Sequence, residues 1–123
     1  MNILKILLVD DEEEFVVTLA ERLELRGMQA RSATGGEEAI QMIESDPPQI
    51  VILDVMMPGL GGLEVLKRIK AQHPQIHVIL LTGHGSTKEG IAGMRLGAFD
   101  YLMKPLDIEE LIKKMQEAIK SRP

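Results

Sequence analysis

The chain has 123 residues, 45% hydrophobic and 27% charged, which is the size and balance of one globular domain with a real core rather than a disordered segment. A net charge of −5 argues against direct nucleic-acid binding, and the absence of cysteine excludes a disulfide framework and a thiolate metal centre. No apolar stretch approaches membrane-spanning length, and Met1-Asn2-Ile3-Leu4-Lys5 lacks the pattern of a signal peptide, so the expected compartment is the cytoplasm, with no membrane partner. In chain order, Ile6-Leu7-Leu8-Val9 marks a strand over about 4–9 that runs into Asp10-Asp11. A helix is expected over about 12–26, with Phe15, Val16, Leu19 and Leu23 on its apolar face and Gly27 as its C-cap glycine. Met28 to Ser32 reads as a short second strand. Gly36-Glu37-Glu38 opens a helix to about Glu44, which Asp46-Pro47-Pro48 ends. Ile50-Val51-Ile52-Leu53 is a third apolar run, and it stops at Asp54. After the loop Pro58-Gly59-Leu60-Gly61-Gly62 a helix over about 63–71 stops before Pro74. The fourth strand, about 76–81, leads into Thr82. A glycine-rich helix follows over about 86–96 and a fifth strand over about 99–103, which delivers Tyr101 and then Lys104-Pro105. A last helix spans about 107–120.

Strand and helix thus alternate five times with short connections. That pattern predicts an α/β fold: a five-stranded parallel sheet with helices on both faces and right-handed crossovers. Continuous Val/Ile/Leu runs are the mark of strands buried on both sides. With only two Phe and one Tyr, Leu, Ile and Val are expected to fill the core together with most of the eight Met. The two glycines within the fourth helix, Gly90 and Gly93, predict a weak helix beside Thr82, since each costs about 1 kcal/mol relative to Ala.

In an open parallel sheet, ligands sit outside the carboxyl ends of the strands. Asp10, Asp11, Asp54, Thr82 and Lys104 all fall there, although they are far apart in sequence. Gathered carboxylates repel one another, and a divalent cation is the simplest remedy. All-oxygen ligation favours a hard ion such as Mg²⁺. Lys104 supplies a flexible point charge and Thr82 a hydroxyl, both suited to phosphoryl oxygens. A carboxylate nucleophile surrounded by such groups suits phosphoryl transfer to Asp. Taken singly, each residue also has an ordinary role. Asp10, Asp11 and Glu12 to Glu14 fit the acids favoured at a helix N-terminus, Thr82 a strand end, Lys104 a solvated lysine, and Tyr101 half-buried packing.

The segments Leu7-Leu8-Val9-Asp10-Asp11, Leu53-Asp54-Val55-Met56-Met57-Pro58-Gly59, Leu81-Thr82-Gly83 and Gly97-Ala98-Phe99-Asp100-Tyr101-Leu102-Met103-Lys104-Pro105 occur in one order over nearly the whole chain. In this they resemble the response-regulator receiver domains of two-component signalling, the CheY-like proteins. The resemblance implies a flavodoxin-like/CheY-like sheet of order 2-1-3-4-5, doubly wound with five helices. It implies that Asp54 is the phosphoacceptor, that Asp11 ligates Mg²⁺ directly, that Asp10 acts mainly through bound water, and that the backbone carbonyl of Met56 is a further ligand. Thr82 and Lys104 would hold the phosphoryl group, and Tyr101 would turn inward as Thr82 moves toward it. The Lys104-Pro105 bond is expected to be cis. The implied partners are a histidine kinase or phosphotransfer protein that supplies a phosphohistidine, and an output domain or a second copy that meets the fourth helix, fifth strand and fifth helix. Residues 1–123 would form a single receiver domain, with 119–123 the start of a linker. The chain would catalyse only its own phosphorylation and dephosphorylation.

Three other classes also bear on these residues. A haloacid-dehalogenase-like phosphatase also forms an aspartyl-phosphate with Mg²⁺ and places a second acid two residues after its nucleophile, as Glu12 follows Asp10, but this chain is short and has no cap domain. A phosphate-independent interaction module on the same fold would not need all five site residues. A flavodoxin-like carrier is weaker, because the loop after the first strand is acidic where a flavin phosphate wants donors. Of the histidines, Pro74 separates His73 from His77 and argues against a zinc pair, and His84 borders the expected site.

Overall fold

The computed structural model describes residues 3–83 and 87–121. Five strands, β1 (Lys5–Val9), β2 (Gln29–Ala33), β3 (Ile50–Asp54), β4 (His77–Thr82) and β5 (Asp100–Met103), alternate with helices α1 (Glu13–Glu24), α2 (Gly36–Ser45), α3 (Gly62–Gln72), α4 (Thr87–Arg95) and α5 (Ile108–Lys120). The strands pair in parallel in the order β2-β1-β3-β4-β5. Each strand's side chains alternate between two cores. Leu7, Val9, Val51, Leu53, Val78 and Leu80 face a core shared with Ala39 and Ile43 of α2 and Val65, Leu66 and Ile69 of α3. Ile6, Leu8, Ile50, Ile52, Ile79 and Leu81 face the other, shared with Val16, Leu19 and Leu23 of α1 and Leu111 and Met115 of α5. This is the doubly wound arrangement expected of strands that are apolar at every position.

Element ends move by a residue or two where tertiary pairing overrides local signals. The second strand runs over Gln29–Ala33 rather than 28–32, because the N–H of Gln29 bonds Leu4 O and the ladder sets Ala33 opposite Val9. Helix α1 ends at Glu24, two residues before the expected end, and closes through a turn in which the Arg26 and Gly27 N–H groups return to Leu23 O and Glu24 O. Gly27 takes a φ of 86°, a conformation that glycine adopts without strain.

The methionine expectation is met in part. Met115 is fully buried, Met28, Met42 and Met57 pack only partly against the two cores, and Met56, Met94 and Met103 are exposed. The branched aliphatics of β1, β3 and β4 already fill both layers of the sheet, which leaves these methionines to loop and rim positions.

Candidate functional site

The ladder itself assembles the carboxyl edge. Val9 lies beside Leu53, so Asp10 and Asp54 leave neighbouring strands at the same level. Asp54 pairs with Leu81 and Thr82 with Met103, which places Thr82 and Lys104 on the next two strands. Backbone bonds continue past the ladder: Asp10 N to Ala33 O at 3.1 Å, Val55 N to Leu81 O at 3.0 Å and Lys104 N to Thr82 O at 2.8 Å. The edge is therefore held by the sheet rather than by loops.

On this frame the Asp10 side chain is wholly buried, Asp54 and Thr82 are nearly so, and Asp11 is exposed. Asp10, Asp11 and Asp54 each offer an oxygen, and these lie within 4.8 Å of one another. Asp10 Oδ1 accepts from the Glu12 N–H at 3.0 Å, and Asp54 Oδ1 accepts from the Met56 N–H at 3.3 Å. Among the described residues, one cation faces the acids. Lys104 Nζ stands 2.7 Å from Asp10 Oδ2, 2.8 Å from Glu12 Oε1 and 3.9 Å from Asp54 Oδ2. Its contact with Asp10 is an ion pair without hydrogen-bond alignment, so the buried Asp10 Oδ2 lacks a hydrogen-bond donor among the described residues. The same ammonium lies 5.0 Å from the centre of the Phe15 ring. Thr82 Oγ1 donates to Leu102 O at 3.4 Å. The Lys104-Pro105 peptide bond is cis.

Electrostatics follow from these positions. Burial pushes the Asp54 carboxyl up to about 6, and the neighbouring Asp10 charge adds to the rise, against the partial relief of Lys104 and the Met56 N–H. Burial alone would lower the Lys104 ammonium, but its contacts with Asp10 and Glu12 and the Asp54 charge hold it above its usual range. One ammonium thus serves three acids, Asp10, Glu12 and Asp54. Three carboxylates within 4.8 Å of one another, relieved by one shared ammonium, are the environment of a divalent cation of the Mg²⁺ kind.

Of the sequence-predicted residues, Asp10, Asp11, Asp54, Thr82 and Lys104 come together at this edge. Tyr101 is half-buried on β5, on the flank that faces α4: a side chain at Gly90 would meet the Thr82 methyl at 3.1 Å and the Tyr101 ring at 3.3 Å. Met56 extends an exposed side chain beside the acids. His84 lies outside the described residues. Three participants went unread. Glu12 is the second partner of Lys104, Phe15 underlies its ammonium, and Gly62 lets α3 approach the end of β3. A Cβ at Gly62 would lie 2.3 Å from Asp54 O and 2.8 Å from Val55 Cα. The usable signal for Gly62 was a second glycine following the N-cap Gly61, at a helical position where glycine is disfavoured.

Sheet order and an acidic carboxyl edge define a flavodoxin-like α/β protein of the receiver type. The family pattern of the response regulator receiver domain matches residues 6–116. The response regulator MprA of Mycolicibacterium vanbaalenii is 39% identical over 116 residues, covering 94% of this chain and 50% of that protein. Among solved structures, the receiver domain of NtrX from Brucella abortus superposes with a TM-score of 0.89 at 34% identity, over 94% of this chain and 98% of that one. A response regulator receiver domain protein from Clostridium thermocellum gives a TM-score of 0.91 at 34% identity, over 96% and 95% of the two chains. The chain belongs to the response regulator receiver domain family of two-component signalling. It spans about half the length of the curated relatives it matches.

Proposed function

We propose that this receiver accepts a phosphoryl group on Asp54 from the phosphohistidine of a histidine kinase or phosphotransfer protein. The observation that carries this reading is the state of Asp54: a nearly buried carboxylate raised to about 6, beside two further acids and a single ammonium 3.9 Å away. Such a site gains most from ligands that bring positive charge and spread negative charge outward. Asp54 Oδ attacks phosphorus, the O–P bond forms as the N–P bond breaks, and the imidazole nitrogen leaves with the electron pair and takes up a proton. Lys104 offers its ammonium to a phosphoryl oxygen, and the Thr82 hydroxyl exchanges Leu102 O for another. Asp10, Asp11, Asp54 and the Met56 carbonyl would hold Mg²⁺, which supplies charge neutralisation when bound. The chain then catalyses its own phosphorylation and dephosphorylation and nothing further.

The coupling to the rest of the domain runs through β5. Thr82 is tied to β5 twice, by its hydroxyl to Leu102 O and by its carbonyl to Lys104 N. Once the hydroxyl turns to the phosphoryl group, space opens for Tyr101 and the surface of α4, β5 and α5 changes, to meet an output domain or a second copy. Residues 1–123 act as one receiver domain in the cytoplasm; the expected linker start at 119 is corrected, because α5 carries Ile119 and Lys120 as helix. Among the described residues no helix is long and apolar enough to cross a membrane. The phosphatase alternative is disfavoured because Asp10, its required nucleophile, is wholly enclosed and paired with Lys104.

Acetyl phosphate with Mg²⁺ should add one hydroxylamine-labile phosphoryl group, and Asp54→Asn should abolish it. Labelling elsewhere with unchanged kinetics in the variant, or unchanged labelling in EDTA, would refute the assignment. Partner binding indifferent to Asp54→Ala would support the phosphate-independent module instead.

A further inference from the structure

Away from the acidic edge, α3 and α4 enclose an open groove of about 610 Å³. Its floor is apolar, formed by Leu63, Ile91 and Leu96, with Ile91 48% exposed to solvent. Its rim is cationic, formed by Lys67 on α3 and Lys88 and Arg95 on α4. On α4 the lining residues Lys88, Ile91, Ala92 and Arg95 fall at i, i+3, i+4 and i+7, one continuous face of the helix. No acid lines the groove, and none of the three cations is ion-paired among the described residues, although the chain as a whole carries −5. The acids of α3 and α4 do not neutralise it: Glu64 pairs with Arg68, and Glu89 is not among the lining residues. Three unneutralised cations around one exposed and two half-buried apolar side chains, in an otherwise acidic domain, form a surface whose charge and apolarity both lack a counterpart.

We propose that this groove docks an acidic amphipathic helix of a partner protein. Charge complementarity sets the sign of the partner: acids along its flanks to meet Lys67, Lys88 and Arg95. The walls set its conformation. Both are helices, and the free sheet edges are β2 and β5, neither of which lines the groove. An occupant therefore finds no strand edge to extend, and a helix, which satisfies its own N–H and C=O groups, suits these walls better than an extended peptide. Its apolar residues, spaced i, i+3, i+4 and i+7, would cover Leu63, Ile91 and Leu96. A nucleic acid could use the three cations but would leave the apolar floor uncovered.

The test uses the whole chain, isotope-labelled and without any phosphodonor, so its outcome is independent of the Asp54 assignment. The probe is a synthetic helix of about five turns, with leucines at i, i+3, i+4 and i+7 and glutamates on both flanks. It should shift the amides of residues 63–67 and 88–96, with an affinity that falls as salt is raised. The Lys67→Glu/Arg95→Glu pair should weaken binding by about tenfold or more, and the milder Lys67→Gln/Arg95→Gln pair should weaken it less. Far-UV circular dichroism establishes that each variant is folded. A peptide of the same composition with scrambled leucine spacing should bind at least several-fold more weakly. Shifts mapping elsewhere, equal binding of the scrambled peptide, or insensitivity to both charge variants would overturn the proposal. So would tighter binding of duplex DNA at the same residues, or peptide-free shifts there that grow with protein concentration, the mark of a second copy as occupant.

Discussion

Asp46 and Asp54 are the same side chain at opposite ends of one sheet, and the fold treats them oppositely. At the amino end, the Asp46 carboxylate contacts the Lys5 ammonium closely and the Arg31 guanidinium at 3.9 Å, and its pKa is lowered chiefly by the Lys5 hydrogen bond. At the carboxyl end, Asp54 is nearly buried, shares one ammonium with two other acids, and is raised to about 6 by burial first and by Asp10 second. One end sets two cations about one acid and is partly open to solvent. The other is buried and holds more negative than positive charge. The difference marks the end at which stability has been given up for chemistry.

The comparison is broken most severely by removing the one cation. Lys104→Met should destabilise the domain by about 3 kcal/mol at neutral pH, because it leaves Asp10 buried and uncompensated. Urea denaturation measures this, and added Mg²⁺ should restore part of the loss. Next comes the backbone approach that closes the same end. Gly62→Ala should cost about 2–3 kcal/mol, since its Cβ would meet the Asp54 carbonyl and Val55 Cα, neither of which can swing aside as a side-chain tip can.

Asp54→Asn should act in the opposite direction. A carboxyl raised from 3.8 to about 6 resists ionisation in the folded state, so the stability it allows is fully present below the unfolded pKa and is lost as pH rises through about 6. Asparagine removes that loss. The variant should be more stable than the parent by about 1–2 kcal/mol at pH 7, after allowance for solvent screening at the mouth of the site. The advantage should vanish below pH 4, as parallel melts at the two pH values would show. At the amino end the sign reverses. Asp46 is lowered, so its contribution is present above the unfolded pKa and is lost as pH falls through the folded value. The smallest effect is expected here: Lys5→Ala should change stability far less than Lys104→Met does, because its pair with Asp46 is half open to solvent. A change as large as that of Lys104→Met would erase the contrast between the two ends.

How much of this was legible in the sequence depended on what each residue answers to. Ile50–Asp54 was read to the residue, because an unbroken aliphatic run ending in Asp has only one reading in a buried parallel strand. Asp10, Asp54, Thr82 and Lys104 were legible for the same reason, since strand ends in a parallel sheet converge. Met56, Met94 and Met103 were misplaced because hydrophobicity says nothing about whether a core is already full, and β1, β3 and β4 had filled it. Glu12 and Phe15 could not be assigned to Lys104 from sequence, as 92 residues separate Glu12 from the ammonium that it meets. Gly62 looked like loop glycine because its constraint is the distance to Asp54 O and Val55, which only the packed structure reveals.

The central claim is that the carboxyl end holds a deficit of positive charge that a divalent cation relieves. Carbon-detected NMR titration of the Asp54 side-chain carboxyl, with and without saturating Mg²⁺, tests it most directly. The account predicts a midpoint near 6 without the metal and a fall to the ordinary carboxylate range or below when Mg²⁺ is present. A midpoint near 4 that Mg²⁺ does not move would contradict it.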